Sequence, residues 1–124
     1  MTFETAQEAL SEFADALPEK IFEGLNGGIV LLPDVKMHPE SINTDELYIL
    51  GQYRYEPYGL GRYITIYYGS LLHVWEGCTE NEKLERLKEV LYHELTHHLE
   101  NMAGDKSLEI QDEIDLDEYR RLQS

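Results

Sequence analysis

The sequence has little cysteine, few basic residues and no long apolar run. Its single cysteine, Cys78, excludes an intramolecular disulfide framework. No stretch of about eighteen consecutive apolar residues occurs, so no transmembrane segment is predicted. The 10 basic residues stand against 25 acidic ones, which gives a net charge of −15. Such a chain repels the phosphates of nucleic acids and anionic lipid, so we expect neither nucleic acid nor membrane as a partner.

The length of the chain, 124 residues, predicts one domain spanning 1–124. This length is enough to bury a single core without disulfides. No charged segment followed by an apolar one opens the sequence, so no secretory signal is predicted and a cytoplasmic location is expected. The acidic excess predicts a solubilising surface or, as the alternative, a preference for a basic substrate or partner.

The first two thirds of the chain predict a helix, three strands and short connections. Apolar residues at three- and four-residue spacing predict a helix over 2–17, with Thr2 as its N-cap and Pro18 as its stop. A second, short helix is predicted over 18–25. Runs of β-branched, aromatic and other apolar residues bounded by turn residues predict strands over 29–32, 47–54 and 62–68. Gly51, inside the second strand, permits a bulge or a close approach.

A long helix is predicted from about residue 80 to 102. Thr79 and Glu82 form a capping box at its start. Apolar residues then recur at helical spacing from Leu84 to Met102 and form a stripe along one face. Gly104 is predicted to end the helix, because glycine readily adopts the left-handed conformation found at helix C-termini. An apolar return segment from 108 to 114 and a closing helix over 115–122 are predicted to follow.

This helix carries the most specific pattern in the sequence, His93-Glu94-Leu95-Thr96-His97. Residues four apart lie on one helix face, so His93 and His97 are predicted to hold one metal ion. Two neutral nitrogen ligands and a carboxylate base form a hydrolytic zinc site, with Glu94 as the base. The leucine stripe packs inward and leaves the two histidines on its flank, beside a cleft. His98 points elsewhere on the helix, where it is expected to be partly exposed or, as the alternative, to support the metal ligands through a contact with one of them.

A catalytic zinc site has three protein ligands and one open position. Glu100 lies too far along the helix to be the third. The helix runs on beyond His97 for roughly 8 Å, and an extended return at about 3.3 Å per residue comes back level with the ion near position 108 or 109. Glu109 is therefore the predicted third ligand, with Asp112 and Asp105 as alternatives.

Glu94 is predicted to take a proton from the attacking water and to pass it to the leaving amine. A tyrosine hydroxyl is a possible donor to the developing oxyanion. The sequence does not choose among four strand tyrosines, for each of which a packing role is favoured: Tyr53, Tyr55, Tyr63 and Tyr67.

The segment from His93 to His97 resembles the active-site helix of the zincin metallopeptidases. The whole chain resembles a group of short, single-domain bacterial zinc metallopeptidases, the minimal zincins. The similarity includes the first helix running into Leu17-Pro18, the strand at 29–32, Leu50-Gly51-Gln52-Tyr53 and Ile64-Thr65-Ile66-Tyr67. Only the histidine motif is highly specific.

The resemblance implies an α+β, zincin-like fold. Its small mixed sheet of about three to four strands would pack against the motif helix and the N-terminal helix. The implied cofactor is Zn²⁺, on His93 and His97, and the implied substrate is a peptide or unstructured protein segment pairing with an edge strand, for which 62–68 is the candidate. The group has glycine three and aspartate six residues after the second histidine. Here Glu100 and Ala103 stand at those positions, so the third ligand is expected from a longer return segment.

Two functions from different classes fit the sequence. The first is a zinc-dependent peptidase. The second is a metal-binding interaction module, in which a structural or vestigial zinc site accompanies an acidic surface that recognises a basic partner. A fourth protein ligand would favour the module, because catalysis requires an open position for water. A metal-dependent hydrolase that acts on something other than peptide is a third, weaker fit.

Overall fold

The computed structural model of the protein describes residues 1–38 and 48–106. Within these residues the chain forms three α-helices, one 3₁₀ turn and three β-strands, which confirms the predicted α+β class. In chain order they are α1 (Phe3–Asp15), the 3₁₀ turn (Glu19–Phe22), β1 (Gly28–Leu32), β2 (Gly51–Glu56), β3 (Gly61–Tyr67), α2 (Tyr68–Val74) and α3 (Glu80–Lys106).

The first helix begins and packs as its sequence predicts. The Thr2 side chain accepts a 3.0 Å hydrogen bond from the backbone N–H of Thr5, which satisfies one of the unpaired donors at the start of α1. Ala6, Ala9 and Leu10 are buried. Their three- and four-residue spacing places them on one helix face, and that face packs against α3.

The sheet is mixed, as predicted, with the strand order β1-β3-β2. β1 runs parallel to β3, and β2 runs antiparallel to it. The prediction that 62–68 is an edge strand was therefore wrong, because β3 lies between the other two. Tyr63 to Tyr67 are all buried, as a strand flanked on both sides requires. In the described part of the chain the edges are β1 and β2.

The second strand begins later than predicted. The prediction was 47–54, whereas β2 is Gly51–Glu56, and residue 47 lies outside the described residues. Tyr48 instead forms an isolated antiparallel bridge with Met37. The backbone N–H of Ile49 donates to the carbonyl of Lys36 at 2.8 Å. The chain is thus extended before Gly51, but at Tyr48 and Ile49 its partner is the segment after β1.

Helix α3 starts at the predicted capping box. The backbone N–H of Thr79 donates to Glu82 Oε1 at 2.9 Å, and that of Glu82 donates to Thr79 Oγ1 at 3.1 Å. The hydrogen bond from the Thr79 backbone lowers the pKa of the Glu82 carboxyl. Further along, Leu87, Leu91 and Leu95 are fully buried, so the predicted stripe does face the core.

The predicted stop at Gly104 was wrong, because α3 continues through it to Lys106. A glycine inside a helix costs only about 1 kcal/mol relative to alanine, which is too little to end a helix whose hydrogen bonds continue on both sides. The return segment over 108–114 and the helix over 115–122 lie outside the described residues. Among the helices described, α3 included, none combines the length and the apolar composition that a membrane crossing requires.

Candidate metal centre

His93 and His97 face each other on the exposed flank of α3. Their Nε2 atoms lie 3.1 Å apart, and their rings meet edge to face with 4.6 Å between centroids. The helix alone produces this arrangement, because residues four apart stand one above the other on the same face. The structure therefore brings together the two nitrogen atoms that the sequence nominates as metal ligands.

The spacing of the two nitrogen atoms fits a zinc ion. Nitrogen ligands lie about 2.0–2.1 Å from zinc, so two of them in a tetrahedral site are roughly 3.3 Å apart. The observed 3.1 Å needs only a small ring rotation to match. Neutral imidazole nitrogen is also an ordinary zinc donor, so His93 and His97 fit this metal in both geometry and chemistry.

Glu94 differs from its two histidine neighbours in being buried, with 6% of its surface exposed. It lines the same cleft as His93. Burial raises the pKa of the Glu94 carboxyl, and the nearby charge of His97 opposes that shift with a smaller effect. Glu94 is thus a buried carboxyl group that adjoins the histidine pair.

The approach of β2 to α3 allows Glu94 to occupy this place. A Cβ atom on Gly51 would lie 3.2 Å from Val90 Cγ1 and 3.3 Å from Glu94 Cγ. Most real Cβ contacts are longer, so a side chain here would push on Glu94. This is the close approach that Gly51 was predicted to permit.

Glu100 contacts the far side of His97. Its Oε1 atom lies 3.4 Å from His97 Nδ1, whereas Nε2 is the nitrogen that faces His93. A carboxylate at Nδ1 favours a proton there and leaves Nε2 as the lone-pair donor. Glu100 therefore lies behind His97, on the side of the ring away from His93.

The residues that the structure describes bring no third ligand to the histidine pair. Within residues 1–38 and 48–106, no group of three or more His, Cys, Asp or Glu side chains converges as a metal-ligand set. Asp105 is in the last turn of α3, where the backbone alone is described. Glu109 and Asp112 are outside the described residues. The choice among the three stays a prediction.

His98 is fully buried, so the expectation of partial exposure was wrong. Its Nε2 atom is 2.8 Å from the carbonyl oxygen of Glu23, and its Nδ1 atom is 2.9 Å from the Tyr53 hydroxyl. A carbonyl only accepts, so Nε2 carries the proton and Nδ1 accepts from Tyr53. Burial lowers the pKa of the His98 imidazole. This histidine ties α3 to the 3₁₀ turn region and to β2.

The four tyrosines considered as oxyanion donors have partners elsewhere. None of these contacts involves the histidine pair or Glu94, which agrees with the packing roles favoured for them. The contacts are those of Tyr53 with His98, Tyr55 with the guanidinium of Arg62, Tyr63 with Glu56, and Tyr67 with Gln52.

A cleft of about 660 Å³ lies beside His93 and Glu94. Sequence reasoning did not find its other residues. Three of them, Val90, Glu89 and Arg86, precede His93 by three, four and seven positions, so helical spacing alone could have placed them on the histidine flank. The remaining walls come from segments distant in sequence, which no local pattern identifies: residues 48–51, Val74 and Trp75.

Comparison with solved structures finds a conserved hypothetical protein, TTHA0227, from Thermus thermophilus. The two are 31% identical, with a TM-score of 0.69, over 84% of this chain and 99% of that one. The chain belongs to the TTHA0227 family. No protein-family model and no curated protein matches the sequence. Membership in the TTHA0227 family agrees with the α+β fold of the chain.

Proposed function

We propose that the protein is a zinc-dependent peptidase with a zincin-like fold. The observation that carries the proposal is the convergence of His93 Nε2 and His97 Nε2, 3.1 Å apart, together with the buried carboxyl group of Glu94 on the cleft that His93 also lines. Two neutral nitrogen donors beside a carboxylate base are the protein groups that metal-assisted hydrolysis of an amide requires. A return of the chain after α3 would supply the third ligand, with Glu109 as the first candidate.

His93 and His97 would hold the ion through their Nε2 atoms, and Glu100 would keep the His97 ring in the required tautomer. A bound zinc ion acidifies water and polarises a carbonyl group. Glu94 then performs both proton transfers. Its carboxylate accepts a proton from the attacking water and afterwards donates that proton to the leaving amine nitrogen.

Strand β2 is the sheet edge that suits a peptide substrate. It is an edge strand of the described sheet, and its first residue, Gly51, lies against Glu94. The backbone N–H of Tyr67 in β3 donates to the carbonyl oxygen of Leu50. Backbone N–H and C=O groups alternate in direction from one residue of a strand to the next, so those of residues 51, 53 and 55 point away from β3. An extended peptide added along this edge would cross the histidine pair.

The test is metal analysis combined with a hydrolysis assay. We expect about one zinc ion per chain, and cleavage of flexible peptides that stops when a chelator removes the metal and returns when zinc is added. A chain that binds zinc through a fourth protein ligand and cleaves nothing would be an interaction module instead. A chain that binds no zinc would contradict both functions.

Replacing Gly51 with alanine is expected to disturb Glu94 while leaving zinc bound. The new methyl group meets Glu94 Cγ and Val90 Cγ1. We expect unfolding to become easier by about 1 kcal/mol and kcat to fall roughly tenfold through displacement of the base. The measurements are the urea midpoint, kcat and zinc content.

Gly104→Ala is the matched control, because a Cβ atom there has nothing within 4 Å. It should raise the free energy of unfolding by up to about 1 kcal/mol and leave kcat unchanged. If Gly51→Ala kept the full kcat, the close approach of β2 would have no part in placing Glu94.

A further inference from the structure

Strand β1 is a sheet edge that lacks the features by which proteins usually protect such an edge. In the described part of the chain it is the edge opposite to β2, the strand whose first residue lies against Glu94. Its five residues, Gly28–Leu32, include no charged residue and no proline, and all of them are half-buried. Natural edge strands are commonly protected by charged side chains, by proline or by a bulge. An edge without these features is suited to pairing with a further strand.

The backbone groups of Ile29 and Leu31 point outward at this edge. The N–H of Tyr67 in β3 donates to the segment that leads into β2. Directions alternate along a strand, so Ile64 and Ile66 face β1. In a parallel pair, a residue that faces its neighbour bonds to the residues on either side of its partner, and the partner itself points away. Those partners are Ile29 and Leu31, so each of them offers one N–H and one C=O to an added strand.

A cleft of about 300 Å³ lies beside this edge, between β1 and α1. Ile29 and Leu31 line it from the sheet, and Leu10 and Ala14 line it from the helix. Side chains of a strand alternate between the two faces of the sheet. Every second side chain of a strand added to β1 would therefore lie on the α1 face, where the cleft has room for one of leucine or phenylalanine size. The remaining lining residues, polar but uncharged, are Gln7 and Ser11.

The outer rim of the cleft is acidic. Glu4, Glu8 and Asp15 are exposed, and with Ser11 they form one row along α1 at intervals of three and four residues. Ser11 lines the cleft, so this row borders it. The helix has no basic residue between Phe3 and Asp15. Carboxylates without a cation on the same helix attract a basic side chain, and they repel a second copy of this acidic chain.

We infer that the β1 edge and the adjoining cleft form a docking site for an extended segment of another protein, in which an apolar side chain is flanked by basic ones. The backbone of the segment pairs with Ile29 and Leu31, and its apolar side chain enters the cleft against Leu10 and Ala14. Residues two positions before and after lie on the same face, each about 7 Å away along the strand. Basic side chains there reach the acidic rim of α1. Neither zinc nor hydrolysis is needed for this binding.

Titration of the full-length Glu94→Gln protein with fluorescein-labelled peptides tests the inference without cleavage. The probe is Thr-Lys-Thr-Leu-Thr-Lys-Thr, which reads the same in both directions and so serves a strand that adds parallel or antiparallel to β1. We expect saturable binding by fluorescence anisotropy, about tenfold weaker when serine replaces the leucine. Replacing both lysines with glutamate should weaken it at least about tenfold at low salt. Equal affinities for the three peptides, or no binding, would overturn the inference.

Two pairs of variants locate the binding on the molecule. Ser11→Leu fills the cleft from an exposed position and should weaken binding of the leucine peptide about tenfold. Thr5→Leu is its control, because Thr5 is exposed on α1 outside the cleft and its backbone N–H, which Thr2 caps, is kept. Glu8→Gln should weaken binding several-fold, whereas Glu85→Gln, which removes an exposed acid of α3, should not. If either pair behaved alike, the β1 cleft would not be the site.

Sedimentation of the protein alone distinguishes a second copy from a separate partner. We expect the same sedimentation coefficient at low and high protein concentration, because the acidic rims of two copies repel each other. A dimer that the leucine peptide dissociates would put a second copy on β1 and would overturn the inference of a basic partner.

Discussion

Replacing Glu94 with glutamine is expected to leave zinc bound and to abolish peptide hydrolysis. Glutamine keeps the size of the side chain but cannot accept a proton, so the water beside the histidine pair has no base. General-base catalysis contributes about 10²–10⁴ in rate, and we expect kcat to fall by roughly a thousandfold. The measurements are kcat with a cleavable peptide and zinc content after gel filtration.

Glu85→Gln is the control for this experiment. Glu85 is an exposed residue on the same helix, and the substitution removes the same charge. We expect wild-type kcat and wild-type zinc content. Hydrolysis at the wild-type rate by Glu94→Gln would exclude Glu94 as the base. Loss of zinc from that variant would make Glu94 a ligand instead.

The neighbouring histidines His97 and His98 are expected to respond to alanine in opposite ways. His97→Ala removes an exposed side chain, so the metal-free protein should change its free energy of unfolding by at most about 0.5 kcal/mol. It also removes a predicted ligand, so zinc affinity should fall at least about a hundredfold. Zinc titration and urea unfolding of the metal-free protein measure the two effects.

His98→Ala should instead unfold easily and keep His93 and His97 available for zinc. It opens a cavity and leaves the Tyr53 hydroxyl and the Glu23 carbonyl without their histidine partner. We expect a loss of about 3 kcal/mol in the free energy of unfolding. Equal zinc affinities for the two variants would contradict the assignment of His97 as ligand and His98 as a structural residue.

The parts of this molecule that depend on near neighbours in sequence were predictable. The Thr79–Glu82 capping box joins residues three apart, and the leucine stripe repeats at three and four. The facing of His93 and His97 has the same origin, because the helical period alone brings their Nε2 atoms together. Thr2 at the start of α1 belongs to this class as well. In each case the contact forms within one or two turns of helix.

The errors concern choices that distant residues decide. Alternation in 62–68 identified a strand, but its central place depends on pairing with β1 and β2 on either side. The burial of His98 depends on Glu23, 75 residues away, and Tyr53, 45 residues away. The prediction that α3 ends at Gly104 rested on the local preference of glycine for helix ends. The hydrogen bonds that continue along α3 outweigh that preference.

The sequence by itself therefore determined the helix and the facing of His93 and His97, since a regular helix needs no other segment to place side chains four residues apart. Only the tertiary structure decided that Glu94 is buried, that β2 is the edge beside it and that a cleft opens next to the pair. These features arise where segments 48–51 and 74–75 pack on α3. Burial and cavity shape depend on which surfaces meet, and that is a property of the assembled chain.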